Sequence, residues 1–240
     1  MSVGLAVENL VAGYGATVVL DGISLKVPAG GTLALLGRNG VGKTTLVCTL
    51  MGYTTRHRGT IRLGDRPIEG LPTHRRVRAG LGYVPQEREI FPSLTVEENL
   101  AVSVRPGGWS AAQVFDLFPS LAERRRNGGN RLSGGEQQML AVGRALVGGP
   151  QVLLLDEPME GLAPIVIDAL YDALSKIRDE GKLTIVLVEQ KVDLALAFAR
   201  DAIILDRGRI VYRGTAEDLN RDEAALARHL GAAAEHVPAR

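Results

Sequence analysis

Apolar and polar positions alternate through the first thirty residues, and turn residues break the alternation into segments. Leu5 to Val11 and Val18 to Val27 read as antiparallel strands, split by a turn at Gly13-Tyr14-Gly15 and closed by Pro28-Ala29-Gly30-Gly31. Thr32 to Leu36 is different: its continuous apolar run is that of a parallel strand buried on both faces. A glycine-rich loop follows, then a helix from Lys43 to Met51. Gly59 to Leu63 and Gly80 to Val84 read as further strands on either side of the basic segment Thr73 to Arg78. Between Pro85 and Pro150 helical spacing dominates, with loops at Pro106-Gly107-Gly108 and Asn127-Gly128-Gly129 and a helical run from Met139 to Val147. Strand and helix then alternate again: Val152 to Asp156, Pro164 to Glu180, Leu183 to Val188 and Lys191 to Ala199. Ile167, Leu170, Leu174 and Ile177 recur at helical spacing and predict one buried face. Ala202 to Leu205 and Ile210 to Tyr212 predict a closing hairpin about Asp206-Arg207-Gly208. The pattern is that of an α/β domain interrupted by a mostly helical insertion.

Composition narrows the class. The 240 residues are 45% hydrophobic and 23% charged, which is globular rather than disordered. Lys+Arg 28 against Asp+Glu 27 leaves a charge of +1, so no basic surplus exists to hold a nucleic acid. No apolar run approaches the ~18 residues of a membrane span. The single cysteine, Cys48, fits a reducing compartment, and the start of the chain carries no secretion leader, so the expected location is cytoplasmic. The four histidines are scattered without ligand spacing and suggest no zinc site.

Three constellations carry chemistry. Gly37-Arg38-Asn39-Gly40-Val41-Gly42-Lys43-Thr44 matches the G-x-x-x-x-G-K-[ST] phosphate loop between a strand and a helix. Backbone N–H groups there wrap phosphates at a helix N-terminus, Lys43 reaches the β- and γ-phosphates, and the Thr44 hydroxyl binds Mg²⁺. The apolar strand Val152 to Asp156 ends in Asp156-Glu157, where one carboxylate can hold a metal and the other deprotonate a water. The strand must end there for the two to divide those roles, because successive strand residues face opposite ways, and Pro158 enforces the ending. Ser133 and Glu136 in Leu132-Ser133-Gly134-Gly135-Glu136-Gln137-Gln138 form a capping box. The two glycines weaken the helix they start, which makes sense if a ligand approaches that backbone. Since the chain already has a phosphate loop, this second anion site serves ATP held by another subunit.

With these motifs the sequence resembles the ATP-binding cassette ATPases over nearly its whole length. Tyr14 stands where that family stacks an aromatic on adenine, and Gln86, in Tyr83-Val84-Pro85-Gln86, at its glutamine loop. The resemblance implies a P-loop NTPase fold with a RecA-like mixed sheet core, an antiparallel β subdomain and a helical subdomain. The core and β subdomain would be residues 1–86 and 149–240, the helical subdomain 87–148. It implies ATP and Mg²⁺, with Arg38, Asn39, Gly40, Val41, Gly42, Lys43, Thr44 and Thr45 on the nucleotide and Thr44, Gln86 and Asp156 at the metal. Glu157, Gln190 and Lys43 would be catalytic, and Ser133 and Gly135 would meet the nucleotide of a second subunit in a head-to-tail dimer.

Finer features resemble the branched-chain amino-acid importer ATPases, LivF-like in type: Arg88-Glu89-Ile90-Phe91 leading into Thr95-Val96-Glu97-Glu98-Asn99-Leu100, Gly161-Leu162-Ala163-Pro164, and Leu187-Val188-Glu189-Gln190. Such a subunit implies as partners a second cassette ATPase (LivG-like) or a second copy, two membrane permeases docked on the helical insertion, and indirectly a periplasmic solute-binding protein. Two departures mark the chain. Gln190 stands at the family's switch histidine and cannot carry a proton, and Glu160-Gly161-Leu162-Ala163 lacks the usual interface aspartate; both occur in LivF-like chains. Urea and amide importers carry very similar ATPases, and a lipopolysaccharide exporter matches in length but would favour histidine at 190. A soluble cassette ATPase of cluster assembly is a further alternative, whereas one of DNA repair or translation would need tandem cassettes or a coiled coil, and a regulatory subunit that never hydrolyses is opposed by Lys43 and Glu157. The runs Arg75 to Arg78 and Arg124 to Arg126 read as solvated faces, Cys48 as core packing, Val114-Phe115-Leu117-Phe118 as core or docking surface, and the tail from Gly231 as frayed.

Overall fold

The computed structural model describes residues 2–231, so that the tail after Gly231 lies outside the described residues. Two sheets form the frame. In the first, β1 (Leu5–Tyr14) pairs antiparallel with β2 (Thr17–Val27) and with β4 (Thr55–Leu63), and the short β5 (Arg66–Pro67) closes the order β2-β1-β4-β5. The second runs β10-β9-β3-β8-β7-β6. Its members are β3 (Thr32–Leu36), β6 (Leu81–Val84), β7 (Val152–Asp156), β8 (Thr184–Val188), β9 (Asp201–Asp206) and β10 (Arg209–Thr215). All neighbours in this sheet are parallel except β10, which turns back antiparallel on β9.

The continuous apolar runs explain the central lanes. Every residue of β3, β7 and β8 is buried, as a parallel sheet covered on both faces requires. Side chains divide by strand period. Leu33, Leu35, Leu154 and Val186 face α1 (Lys43–Met51) and the antiparallel sheet, together with Leu46, Val47 and Leu50. Ala34, Leu36, Leu153, Leu155 and Leu187 face the other core, which contains Ile167, Leu170, Leu174 and Ile177 of α7 (Pro164–Asp179). The face predicted for that helix is the face buried. Phe198 of α8 (Val192–Phe198) joins the same core, and α9 (Ala216–Arg221) and α10 (Glu223–Leu230) follow β10.

Between β6 and β7 lie α3 (Val96–Ala101), α4 (Ala111–Leu117), α5 (Pro119–Glu123) and α6 (Gly134–Val147). Three of these start on a complete capping box: Thr95 with Glu98, Ser110 with Gln113, Ser133 with Glu136. Val114 and Phe118 are core, and Phe115 and Leu117 are half-buried against it, so the aromatic stretch is packing rather than docking surface.

Three local expectations are corrected. The first strand continues through Tyr14, and the turn falls at Gly15-Ala16. β4 begins at Thr55, not Gly59, because β1 pairs beyond a bulge with Arg58, Arg56 and Thr55; that half of the strand is exposed and carries no apolar alternation to read. The basic segment is a helix, α2 (Thr73–Arg78), and Arg76 in it is buried rather than solvated. Its guanidinium donates to the carbonyls of Thr49, Leu50, Glu69 and Leu71, which satisfies the buried group and caps the C-terminal end of α1. Burial holds its pKa below the ordinary arginine value.

The β9–β10 turn grips the phosphate loop. Gly208 donates its N–H to Val41 O at 2.9 Å and accepts from Asp21 N at 2.9 Å. Its φ is 74°, and a Cβ there would sit 1.8 Å from Val19 O. Gly208→Ala is therefore expected to destabilise the fold by at least the about 1–3 kcal/mol of a strained backbone position, read as a lower denaturant midpoint; an unchanged midpoint would show that the turn is not clamped.

Candidate functional site

The C-terminal ends of β3, β8 and β7 lie side by side, and each releases a functional segment at the same edge of the sheet. From β3 comes the loop Gly37 to Gly42, which turns on glycines at φ 150°, 78° and 111° (Gly37, Gly40, Gly42) into α1. No side chain caps that helix, so its first amides are free to receive an anion. Lys43 is 4% exposed; its Nζ donates to Gly37 O at 2.9 Å and Arg38 O at 3.2 Å and pairs with Glu157 Oε1 at 3.2 Å.

From β7 come both carboxylates. Asp156 is wholly buried; Thr44 Oγ1 donates to its Oδ1 and Tyr83 Oη to its Oδ2, each at 3.4 Å. Glu157 leaves the strand at φ 48°, a left-handed conformation that an L-residue adopts only when its surroundings enforce it, and its N–H is held by Val188 O at 2.9 Å. This twist points Glu157 into the cleft while Asp156 stays under the loop. From β8 come Glu189 and Gln190. Gln190 Nε2 donates to Glu157 Oε2, so Glu157 is held by a lysine on one oxygen and an amide on the other.

A cleft of about 280 Å³ is lined by Asn39, Gly40, Gly42, Lys43, Thr44, Thr45, Gln86, Glu157, Glu160 and Gln190. Arg38 contributes its carbonyl to Lys43, and Val41 its carbonyl to Gly208. Tyr14, at the end of β1, is 53% exposed and does not line the cleft. Ser133 is also absent from it, exposed at the tip of α6 with its Oγ accepting from Glu136 N at 3.2 Å. Gly135 is buried, and a Cβ there would meet Val166 Cγ1 at 2.4 Å, so packing against α7 also demands a glycine at that position.

Three side chains at the site were not singled out from sequence. Glu160 accepts from Gln86 Nε2 at the mouth of the cleft. Glu189 is buried and accepts from the N–H groups of Met159 at 3.2 Å and Gln190 at 3.1 Å. Burial pushes its pKa up, and these backbone donors oppose the rise. Tyr83, the donor to Asp156, is likewise raised by burial. Their only signal was nearness to a motif in the chain.

Burial pushes the Asp156 carboxyl up to about 6 and Glu157 adds to the rise, against lowering contacts from Thr44, Tyr83 and Lys43. Among the described residues it makes hydrogen bonds to hydroxyls but no salt bridge, and the donors around it are hard oxygens. A buried carboxylate of that kind beside a threonine hydroxyl fits Mg²⁺. Among the described residues no cluster of three or more His, Cys, Asp or Glu could hold a metal by itself.

A family model described as ABC transporter matches residues 20–160. The chain belongs to the ABC transporter family. It is an ATPase, the ATP-binding and ATP-hydrolysing subunit of such a transporter. It is 39% identical over 236 residues to the high-affinity branched-chain amino acid transport ATP-binding protein BraG of Pseudomonas aeruginosa, covering 95% of this chain and 99% of that one. It is 36% identical over 234 residues to the lipopolysaccharide export system ATP-binding protein LptB of Escherichia coli, covering 95% and 97%. In fold it is similar to a nucleotide-free ATP-binding cassette from an ABC transporter, at TM-score 0.79 and 23% identity, covering 94% of this chain and 96% of that one. No helix among the described residues is long and apolar enough to cross a membrane.

The buried Asp156 carries a pH signature. Well below pH 3.8 its carboxyl is protonated in folded and unfolded chains alike; between 3.8 and about 6 only the folded chain keeps the proton. The cost of burying the charge therefore grows through that window and is complete above it. Asp156→Asn is expected to be the more stable protein at pH 8 with EDTA present, by up to about 3 kcal/mol, and the gap should close as pH falls from 6 towards 4. Chemical denaturation at several pH values checks this; a variant no more stable than the parent at pH 8 contradicts it.

Proposed function

We propose that this chain energises the uptake of branched-chain amino acids or closely related small solutes by hydrolysing MgATP at the Lys43–Glu157 cleft. The observation that carries the hydrolytic reading is the Glu157 carboxylate, held between Lys43 and Gln190 beside the phosphate loop. The solute class rests on the likeness to BraG, and the amide at Gln190 favours that class over lipopolysaccharide export.

In this reading the free amides of the loop and of α1 bind the phosphates, and Lys43 neutralises the β- and γ-oxygens in competition with Glu157. Thr44, Asp156 and Gln86 would hold Mg²⁺, which supplies charge neutralisation at the triphosphate. Glu157 takes a proton from the attacking water as the water oxygen bonds to the γ-phosphorus and the bond to the β–γ bridging oxygen breaks, leaving ADP and phosphate. Gln190 orients Glu157 through its N–H and takes no part in proton transfer, since an amide does not titrate. Tyr14 stacks on adenine.

Ser133 and the start of α6 complete the site of a second cassette subunit, either another copy or a companion ATPase. Ser133 Oγ accepts from its own helix, which leaves its O–H to donate outward. A groove of about 270 Å³ between the helical insertion and the core suits the permeases; it includes Tyr53, Tyr83, Val102, Arg105 and Arg144. Tyr53 and Val102 are exposed apolar surface. The Nη1 atoms of Arg105 and Arg144 are buried without a hydrogen-bond partner among the described residues, so a docking segment that brings a carboxylate would satisfy them. Such an assembly keeps the chain on the inner face of the cell membrane, with a periplasmic binding protein acting on it only through the permeases.

Two experiments test this. Glu157→Gln is expected to bind MgATP and to lose about 10²–10⁴-fold in phosphate release while nucleotide-bound dimers accumulate in sedimentation; phosphate release at the parental rate contradicts the assigned base. In cells, Lys43→Ala is expected to abolish uptake of labelled leucine, isoleucine and valine and leave an unrelated solute untouched. Retained leucine uptake contradicts the solute assignment.

A further inference from the structure

We propose that Glu160 is a positioning residue, which fixes the side-chain amide of Gln86 so that its oxygen faces the metal held by Thr44 and Asp156. The proposal rests on the reading of Gln86 as a metal ligand and adds to it the group that makes the amide competent. Gln86 Nε2 donates to Glu160 Oε2, and both side chains line the phosphate cleft with Thr44 and Glu157.

The chemistry of the pair leaves one orientation. An ionised carboxylate only accepts hydrogen bonds, so the amide must turn its nitrogen to Glu160 and its oxygen away. Mg²⁺ takes oxygen ligands, and an amide nitrogen lacks the lone pair to bind it. A glutamine free to rotate presents either end; one tethered through its nitrogen presents the useful one. Pinning a ligand by its outer hydrogen bond is how proteins commonly tune metal sites.

The fold supplies the proximity. β6 and β7 are paired neighbours, with Val84 opposite Leu155, so the segments leaving them emerge together. Gln86 follows β6 after Pro85. Glu160 belongs to the tight turn opened by left-handed Glu157, where Glu160 N donates to Glu157 O at 3.1 Å. The backbone that sets Glu157 in the cleft thus also sets the residue that orients Gln86. The length of the Glu160 side chain is what lets it span to the glutamine loop.

The test uses the full chain saturated with a non-hydrolysable ATP analogue and titrated with Mn²⁺, free metal being read by electron paramagnetic resonance. Glu160→Ala and Gln86→Ala are each expected to weaken Mn²⁺ binding by about tenfold, with no further loss when combined. Glu160→Gln, whose amide donates as well as accepts and so no longer fixes the orientation, should bind Mn²⁺ with an affinity between those of the unsubstituted protein and Glu160→Ala. Glu160 is exposed, so thermal unfolding of its variants should not change. Unchanged Mn²⁺ affinity in Glu160→Ala, with the loss present in Gln86→Ala, overturns the proposal and leaves Gln86 a ligand. Unchanged affinity in Gln86→Ala overturns both. A further loss when Glu160→Ala is added to Gln86→Ala would mean that Glu160 acts on the metal by its charge rather than through Gln86, and would equally overturn it.

Discussion

One topological constraint organises the molecule: β8 lies between β3 and β7 in a parallel sheet, so three strand ends open on one edge. The phosphate loop, Asp156, Glu157 and Gln190 all leave from there. The consequence is electrostatic. Lys43, Asp156, Glu157 and Glu189 are all buried at that edge, where an isolated charge would be expelled or neutralised. The protein answers with specific partners: a lysine between a carboxylate and two loop carbonyls, a glutamate on backbone amides, an aspartate between two hydroxyls. Asp156 is the least compensated of them. A buried carboxylate left without a cation destabilises the chain and favours whatever positive charge the site can recruit, so binding and stability are set by the same group.

Helix α1 is the second fixed point. At its start the phosphate loop is pressed by the β9–β10 turn, through Gly208 to Val41. At its end the Arg76 guanidinium donates to two carbonyls of the last turn, Thr49 O and Leu50 O. A helix held at both ends presents its N-terminal amides in one place, and preorganised amides are what stabilise phosphate without reorganisation cost. The cation at the C-terminal end also complements the helix dipole.

Much of this was legible in the residues themselves. Buried strands announce themselves by unbroken apolar runs, and Thr32–Leu36 and Val152–Asp156 have the bounds their sequence predicts. The phosphate loop and the paired carboxylates were legible because the chemistry demands particular residues at fixed spacing. What escaped was set by tertiary contact. Half of β4 is polar and pairs only because β1 is there to receive it. Arg76 is buried because four carbonyls from separate segments converge on it, which no run of arginines reveals. Val166, thirty-one residues on, packs where a Cβ of Gly135 would sit, a contact that the glycine pair itself does not announce. Glu160 and Tyr83 act on residues far away in the chain.

In the proposed head-to-tail dimer the exposed Ser133 tip of a neighbouring cassette meets the nucleotide in the cleft. Ser133→Asp isolates that claim, because aspartate serves as well as serine for capping α6 yet sets a negative charge against the γ-phosphate. The decisive measurement is ATP turnover by the assembled transporter carrying Ser133→Asp, beside MgATP binding by the isolated variant chain. Head-to-tail pairing predicts unchanged binding by the chain and lost turnover by the assembly; turnover at the parental rate would show that the tip of α6 caps a helix and meets no nucleotide.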